Sequence, residues 1–115
     1  MKHGLPPAAV ARLSGVFAAF PEVGEAVLYG SRAKGTHKKG SDIDLALKGA
    51  ELDWARLGEI ETAIDDLLLP YKVDLLIYDT LEHVKLREHI DRVGVTLYRH
   101  EQSNISDSLY ERSQN

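Results

Sequence analysis

Residues 24–48 read GEAVLYGSRAKGTHKKGSDIDLALK, and the fold turns on how this stretch is divided. Residues 24 to 29 (GEAVLY) have the apolar content of a short strand, and Gly30 ends it. Residues 31 to 40 (SRAKGTHKKG) form a glycine-bounded basic loop with room for one helical turn at its start. Residues 41 to 48 (SDIDLALK) alternate polar and apolar side chains, the pattern of a second strand. Side chains on a strand point to opposite faces in turn. Asp42 and Asp44 therefore share one face, and Ile43, Leu45 and Leu47 turn to the other, into a core.

Outward from this pair of strands, the pattern alternates. On the N-terminal side, Pro6 and Pro7 precede a helix whose Val10, Leu13, Phe17 and Phe20 fall on one face, and Pro21 stops it. On the C-terminal side, Leu57, Ile60, Ile64, Leu67 and Leu68 mark an amphipathic helix from about Asp53, its N-cap, to Leu69, before Pro70. Residues 72 to 78 (KVDLLIY) are almost continuously apolar and predict a buried central strand. Asp79 and Glu82 predict a capping box for a helix through Arg92, ended by Gly94. Residues 95 to 98 (VTLY) predict a last short strand. The expected class is α/β (α+β): one small mixed sheet flanked by helices, over residues 1–100. Residues 101–115 (EQSNISDSLYERSQN) are expected to be a polar tail, in which Ile105, Leu109 and Tyr110 have helical spacing.

Composition narrows the chemistry. The chain has 115 residues, 43% hydrophobic and 28% charged, as in a soluble globular domain. With no cysteine, disulfides, thiolate zinc sites and cysteine nucleophiles are excluded. The expected location is a reducing cytoplasm: no signal peptide is recognised, and no run approaches the roughly 18 apolar residues that span a bilayer. The net charge of -4 disfavours a nucleic-acid partner. The dense basic patch of Arg32, Lys34, Lys38 and Lys39 suits one triphosphate better than a duplex.

The candidate site lies where these elements meet. Two carboxylates on one strand face repel each other, and a divalent cation removes that cost. Oxygen-only ligands suit magnesium, which takes one or two carboxylates together with phosphate oxygens and water. Gly30 lets the backbone approach a ligand closely. The Ser31 hydroxyl and the N–H groups of a following turn can bind phosphate. Arg32 and Lys34 are open between triphosphate contact and solvated loop charge, and Lys38 and Lys39 read as a solvated face. Asp74, set in an apolar run, needs a partner or a metal. Beside the second strand it could ligate the same metal and take a proton from an attacking hydroxyl. Three carboxylates and a triphosphate fit two-metal phosphoryl transfer. His3, His37, His83, His89 and His100 lack metal-ligand spacing and read as surface or core residues. Trp54 and the Leu57 stripe read as core.

Gly30-Ser31-Arg32-Ala33-Lys34-Gly35 followed by Ser41-Asp42-Ile43-Asp44-Leu45 resembles the signature of the DNA polymerase β-like nucleotidyltransferase superfamily. The short length resembles its minimal nucleotidyltransferase (MNT) group, over residues 5 to 99 or so. The resemblance implies a nucleotidyltransferase fold. It implies triphosphate binding by Gly30 and Ser31, magnesium binding by Asp42 and Asp44, and a site completed by Asp74. It implies AMP transfer from ATP (AMPylation) onto a hydroxyl of a partner protein, as the antitoxin of a helical HEPN-class toxin. The alternatives are a non-catalytic module that masks its partner and an aminoglycoside-type small-molecule transferase. Larger members add an acceptor-binding domain, and none is recognised here.

Overall fold

The structure, a computed structural model, describes residues 4–36, 38 and 40–100. His3, His37, Lys39 and the expected tail lie outside the described residues.

Pro7 opens the first helix, α1 (Pro7–Ala18), where its missing N–H costs nothing. Its inner face is Ala9, Leu13 and Phe17, with Val10 and Phe20 packed partly alongside. Strand β1 (Glu25–Tyr29) leads through one helical turn, α2 (Ser31–Lys34), to β2 (Ile43–Lys48). Helix α3 (Trp54–Asp65) then crosses to β3 (Val73–Ile77), and α4 (Val84–Val93) leads back to β4 (Val95–Arg99). The sheet order is β3-β2-β1-β4. β1 is antiparallel to both β2 and β4, and β2 is parallel to β3, which gives the expected mixed sheet.

The two sheet faces differ. One carries Ala26, Leu28, Ile43, Leu45 and Leu47 against Leu13 and Phe17 of α1 and Leu57, Ile60 and Ile64 of α3. Phe17, Leu13, Leu28, Leu45 and Ile60 are fully buried here, each contributing about 1.5–3 kcal/mol by leaving water. The other face carries a smaller cluster, Val27 and Ala46 under Ile90 of α4. By alternation, Asp44 and Asp74 belong to this second, thinly covered face.

Four expectations are corrected. β3 is an edge strand, not a central one, and all of it but Ile77 is partly exposed. Its apolar run divides between the faces, with Val73, Leu75 and Ile77 toward the larger core and Leu76 toward the smaller. α3 starts at its Asp53 cap, whose Oδ1 accepts from Arg56 N at 2.8 Å, but it stops at Asp65. Leu68 beyond it has φ 55° and is 86% exposed. Trp54 is not core: at the first turn of α3 it is 73% exposed. Finally, Asp79 caps no helix. Residues Tyr78–Thr80 make a 3-10 turn, and Asp79 Oδ1 accepts instead from Gly49 N at 3.0 Å. The cap of α4 is His83, whose Nδ1 accepts from Leu86 N at 3.1 Å.

Candidate active site

Gly30 makes the turn from β1 into α2 with φ 77° and ψ -155°, a region essentially closed to residues with a Cβ. A Cβ on Gly30 would lie 2.6 Å from Asp44 Oδ2. The glycine is thus required by close approach to a carboxylate of the site itself. The expected helical turn follows: Lys34 N donates to Gly30 O at 3.2 Å, and Gly35 closes the turn in the left-handed conformation.

Pairing brings the carboxylates together. Tyr29 is the cross-strand partner of Asp44 on one side, and Asp74 is its partner on the other. Asp42 is exposed, one residue before β2 begins. The Asp44 carboxyl is held above its ordinary range, first by burial, then by the charges of Asp74 and Asp42; Lys72 opposes them. The Lys72 ammonium lies 3.8 Å from Asp74 Oδ1, and the Asp74 side chain is 46% exposed. That exposure explains how Asp74 remains in an apolar run without a buried partner. The Tyr29 hydroxyl is pushed up to about 12 by burial and by the Asp44 and Asp74 charges. Among the described residues, no group of three acidic or histidine side chains converges closely enough to hold a metal ion by itself.

Arg32 is not a solvated loop charge. It is 2% exposed, and its Nε and Nη2 both donate to Ser41 O, at 3.1 and 2.9 Å. Its guanidinium also lies over the Tyr71 ring, 5.0 Å from the centroid. One side chain therefore joins the turn after Gly30, the residue before Asp42, and the approach to β3 that carries Asp74. Lys34 and Lys38 are exposed. Arg32→Ala removes two hydrogen bonds to a carbonyl and a cation–π contact, and is expected to cost about 2–4 kcal/mol. Arg32→Lys should recover only part of this, because an ammonium cannot fork to one oxygen while stacking. Thermal or urea melts of both variants measure it, and wild-type stability in Arg32→Ala would refute the strut.

Sequence reading also missed His89. Gly30 N donates to His89 Nε2 at 3.2 Å, and the imidazole meets the Tyr29 ring edge-on. No local signal marks it, because α4 reaches the site only through the sheet topology. A groove of about 460 Å³ lies elsewhere, between α3 and the core side of β3, lined by Ile64, Leu68, Tyr71 and Val73 among others.

The family model for polymerase beta nucleotidyltransferases matches residues 12–103, most of the chain and all of this constellation. The chain belongs to that nucleotidyltransferase family. A relative from Haemophilus influenzae, named as a probable protein adenylyltransferase, MntA, is 38% identical over 76 residues. That stretch is 65% of this chain and 66% of the relative, just under two thirds of its length. Among solved structures, a chain from a toxin–antitoxin complex with AMP-PNP has TM-score 0.64 and 25% identity, covering 96% of this chain and 90% of its own. The nucleotidyltransferase fold is seen again in a Shewanella oneidensis complex of a tri-AMPylated HEPN toxin with an MNT antitoxin. There the TM-score is 0.61 at 21% identity, covering 93% of this chain and 87% of that one. Among the described residues, no helix is long and apolar enough to cross a membrane.

Proposed function

We propose that the chain transfers AMP from ATP to a hydroxyl of a partner protein, acting in the cytoplasm as the antitoxin of a helical HEPN-type toxin. The observation that carries this reading is the register of Asp44 and Asp74 on neighbouring strands, with Gly30 pressed against Asp44. It is supported by the adenylyltransferase relative and by the structural likeness to a toxin–antitoxin chain crystallised with AMP-PNP.

The residues fit magnesium. Their donors are carboxylate oxygens alone, and Asp44 bears an electrostatic strain that a cation would relieve. Asp42, Asp44 and Asp74 would supply part of the coordination, in a two-ion arrangement, with triphosphate oxygens and water supplying the rest. When bound, magnesium neutralises phosphate charge and favours in-line displacement. Gly30 and Ser31 receive the triphosphate, Ser31 through its hydroxyl and backbone N–H, and Lys34 adds positive charge at the exposed side. Arg32 positions this turn from beneath. The acceptor oxygen bonds to the α-phosphorus as the bond from that phosphorus to the β-bridging oxygen breaks. Pyrophosphate leaves, and the hydroxyl proton passes to Asp74.

The test is intact-mass spectrometry of the partner after incubation with this chain, ATP and magnesium. One or more adenylates on the partner are expected, and none with Asp42→Asn. A tight complex without any mass change under all four triphosphates would establish a masking module instead. Adenylate only on an added aminoglycoside would establish a small-molecule transferase.

A further inference from the structure

β1 runs out of partners just where the site begins. Its last pair with β4 is Leu28↔Val95, and its last with β2 is Tyr29↔Asp44. The next donor along the strand, the Gly30 N–H, is taken by a side chain from a helix 59 residues away: His89 Nε2, at 3.2 Å. The same imidazole packs edge-on against Tyr29, centroids 6.3 Å apart and planes at 83°. His89 thus holds the Tyr29–Gly30 peptide through both its residues. To accept this bond, the ring must be neutral with its proton on Nδ1.

The hold matters because Gly30 is the residue least able to hold itself. A glycine samples both signs of φ freely, and here φ must stay at 77° for the chain to clear Asp44 and enter α2. Rotation at this point would swing Ser31 away from the carboxylates.

We propose that His89 is a positioning residue for nucleotide binding: it latches the Gly30 N–H and so fixes the turn that presents Ser31 to the triphosphate beside Asp44. The role rests on the reading of the site as a nucleotidyltransferase centre. It concerns ground-state placement, so it acts on nucleotide affinity more than on turnover. A glutamine at position 89 can place an amide oxygen near the Nε2 position, whereas an asparagine is too short to reach it.

The test compares full-length wild type, His89→Ala, His89→Gln and His89→Asn. KM and kcat for ATP are measured in adenylate transfer, and Gly30 amide hydrogen exchange is measured by NMR without nucleotide. Losing one neutral hydrogen bond is expected to raise KM about three- to tenfold in the Ala and Asn variants, with kcat within about twofold. Gly30 exchange should quicken by a similar factor. His89→Gln should restore both. Unchanged KM and exchange in His89→Ala would overturn the latch. So would equal losses in all three variants accompanied by equal losses of Tm, which would mark His89 as packing only. If wild type transfers no adenylate, the functional reading fails on its own. AMP-PNP affinity and Gly30 exchange in the same four proteins then still decide the latch.

Discussion

Asp44→Asn should abolish nucleotidyl transfer while leaving the protein folded. Asp44 is the carboxylate on which the site converges, paired with Asp74 and touched by the Gly30 turn. Losing a group that stabilises charge in the transition state lowers turnover by about 10²–10³-fold, and on the proposal that Asp44 holds magnesium its loss should reach at least that. Stability without metal should move the other way. Burial and the Asp74 and Asp42 charges raise the Asp44 carboxyl above its ordinary range, so the folded chain keeps this proton to higher pH than the unfolded chain. Wild type therefore loses stability from this group as pH rises from the ordinary carboxylate range through the raised value. Asn cannot ionise, so the variant should lack that part of the slope. Magnesium should raise the melting temperature of wild type near neutral pH and do so less for Asp44→Asn. Transfer assays and melts between pH 4 and 7, on the order of half a unit apart across the carboxylate range, measure both. Near wild-type turnover would remove Asp44 from the site. A variant less stable than wild type at neutral pH without metal would contradict the electrostatic account.

Gly30→Ala should damage activity and stability together. Its backbone region costs a residue with a Cβ about 1–3 kcal/mol. The new methyl would also sit 2.6 Å from Asp44 Oδ2, so turn or carboxylate must move. Either movement separates Ser31 from Asp44, and transfer should fall by about 10²-fold or more, the scale of a small misplacement of reacting groups. Gly58 is the control. It sits inside α3 with nothing within 4 Å of a built Cβ, and Gly58→Ala should stabilise by about 0.5–1 kcal/mol without touching activity. Melts and transfer rates of the two variants side by side check the contrast. Full activity in Gly30→Ala would show that the turn tolerates a side chain and that the close approach is not needed.

Much of the site could be read from the chain because strand alternation is local. The inward face of Ile43, Leu45 and Leu47 and the Gly30 turn need only a period of two and a short connection, whereas Asp74 comes beside Asp44 only through the α3 crossover between two parallel strands. The rest depended on information that no window of sequence holds. An apolar run such as Val73 to Ile77 looks alike whether a strand is covered by neighbours on both sides or only on one. Trp54 falls in phase with an inner stripe, yet its place at the first turn of α3 points it outward. Asp79 and Glu82 have capping spacing, but Gly49 on a distant loop claims Asp79 and His83 takes over the cap. Arg32 looks like its neighbours Lys34 and Lys38 until the fold supplies Ser41 O and Tyr71 to enclose it. His89 acquires meaning only when α4 lies across β1.

On the proposed function, the edge position of β3 bears on acceptor size. Among the described residues, β3, which carries Asp74, is the outermost strand on its side of the sheet. The Asp74 side chain is 46% exposed, so in the proposed reaction a hydroxyl could reach this carboxylate from the flank of the sheet. A side chain anchored to a large folded body can present its oxygen from the flank, with that body remaining outside. On the proposed reading, selectivity for such an acceptor would come from how two macromolecular surfaces meet around the rim.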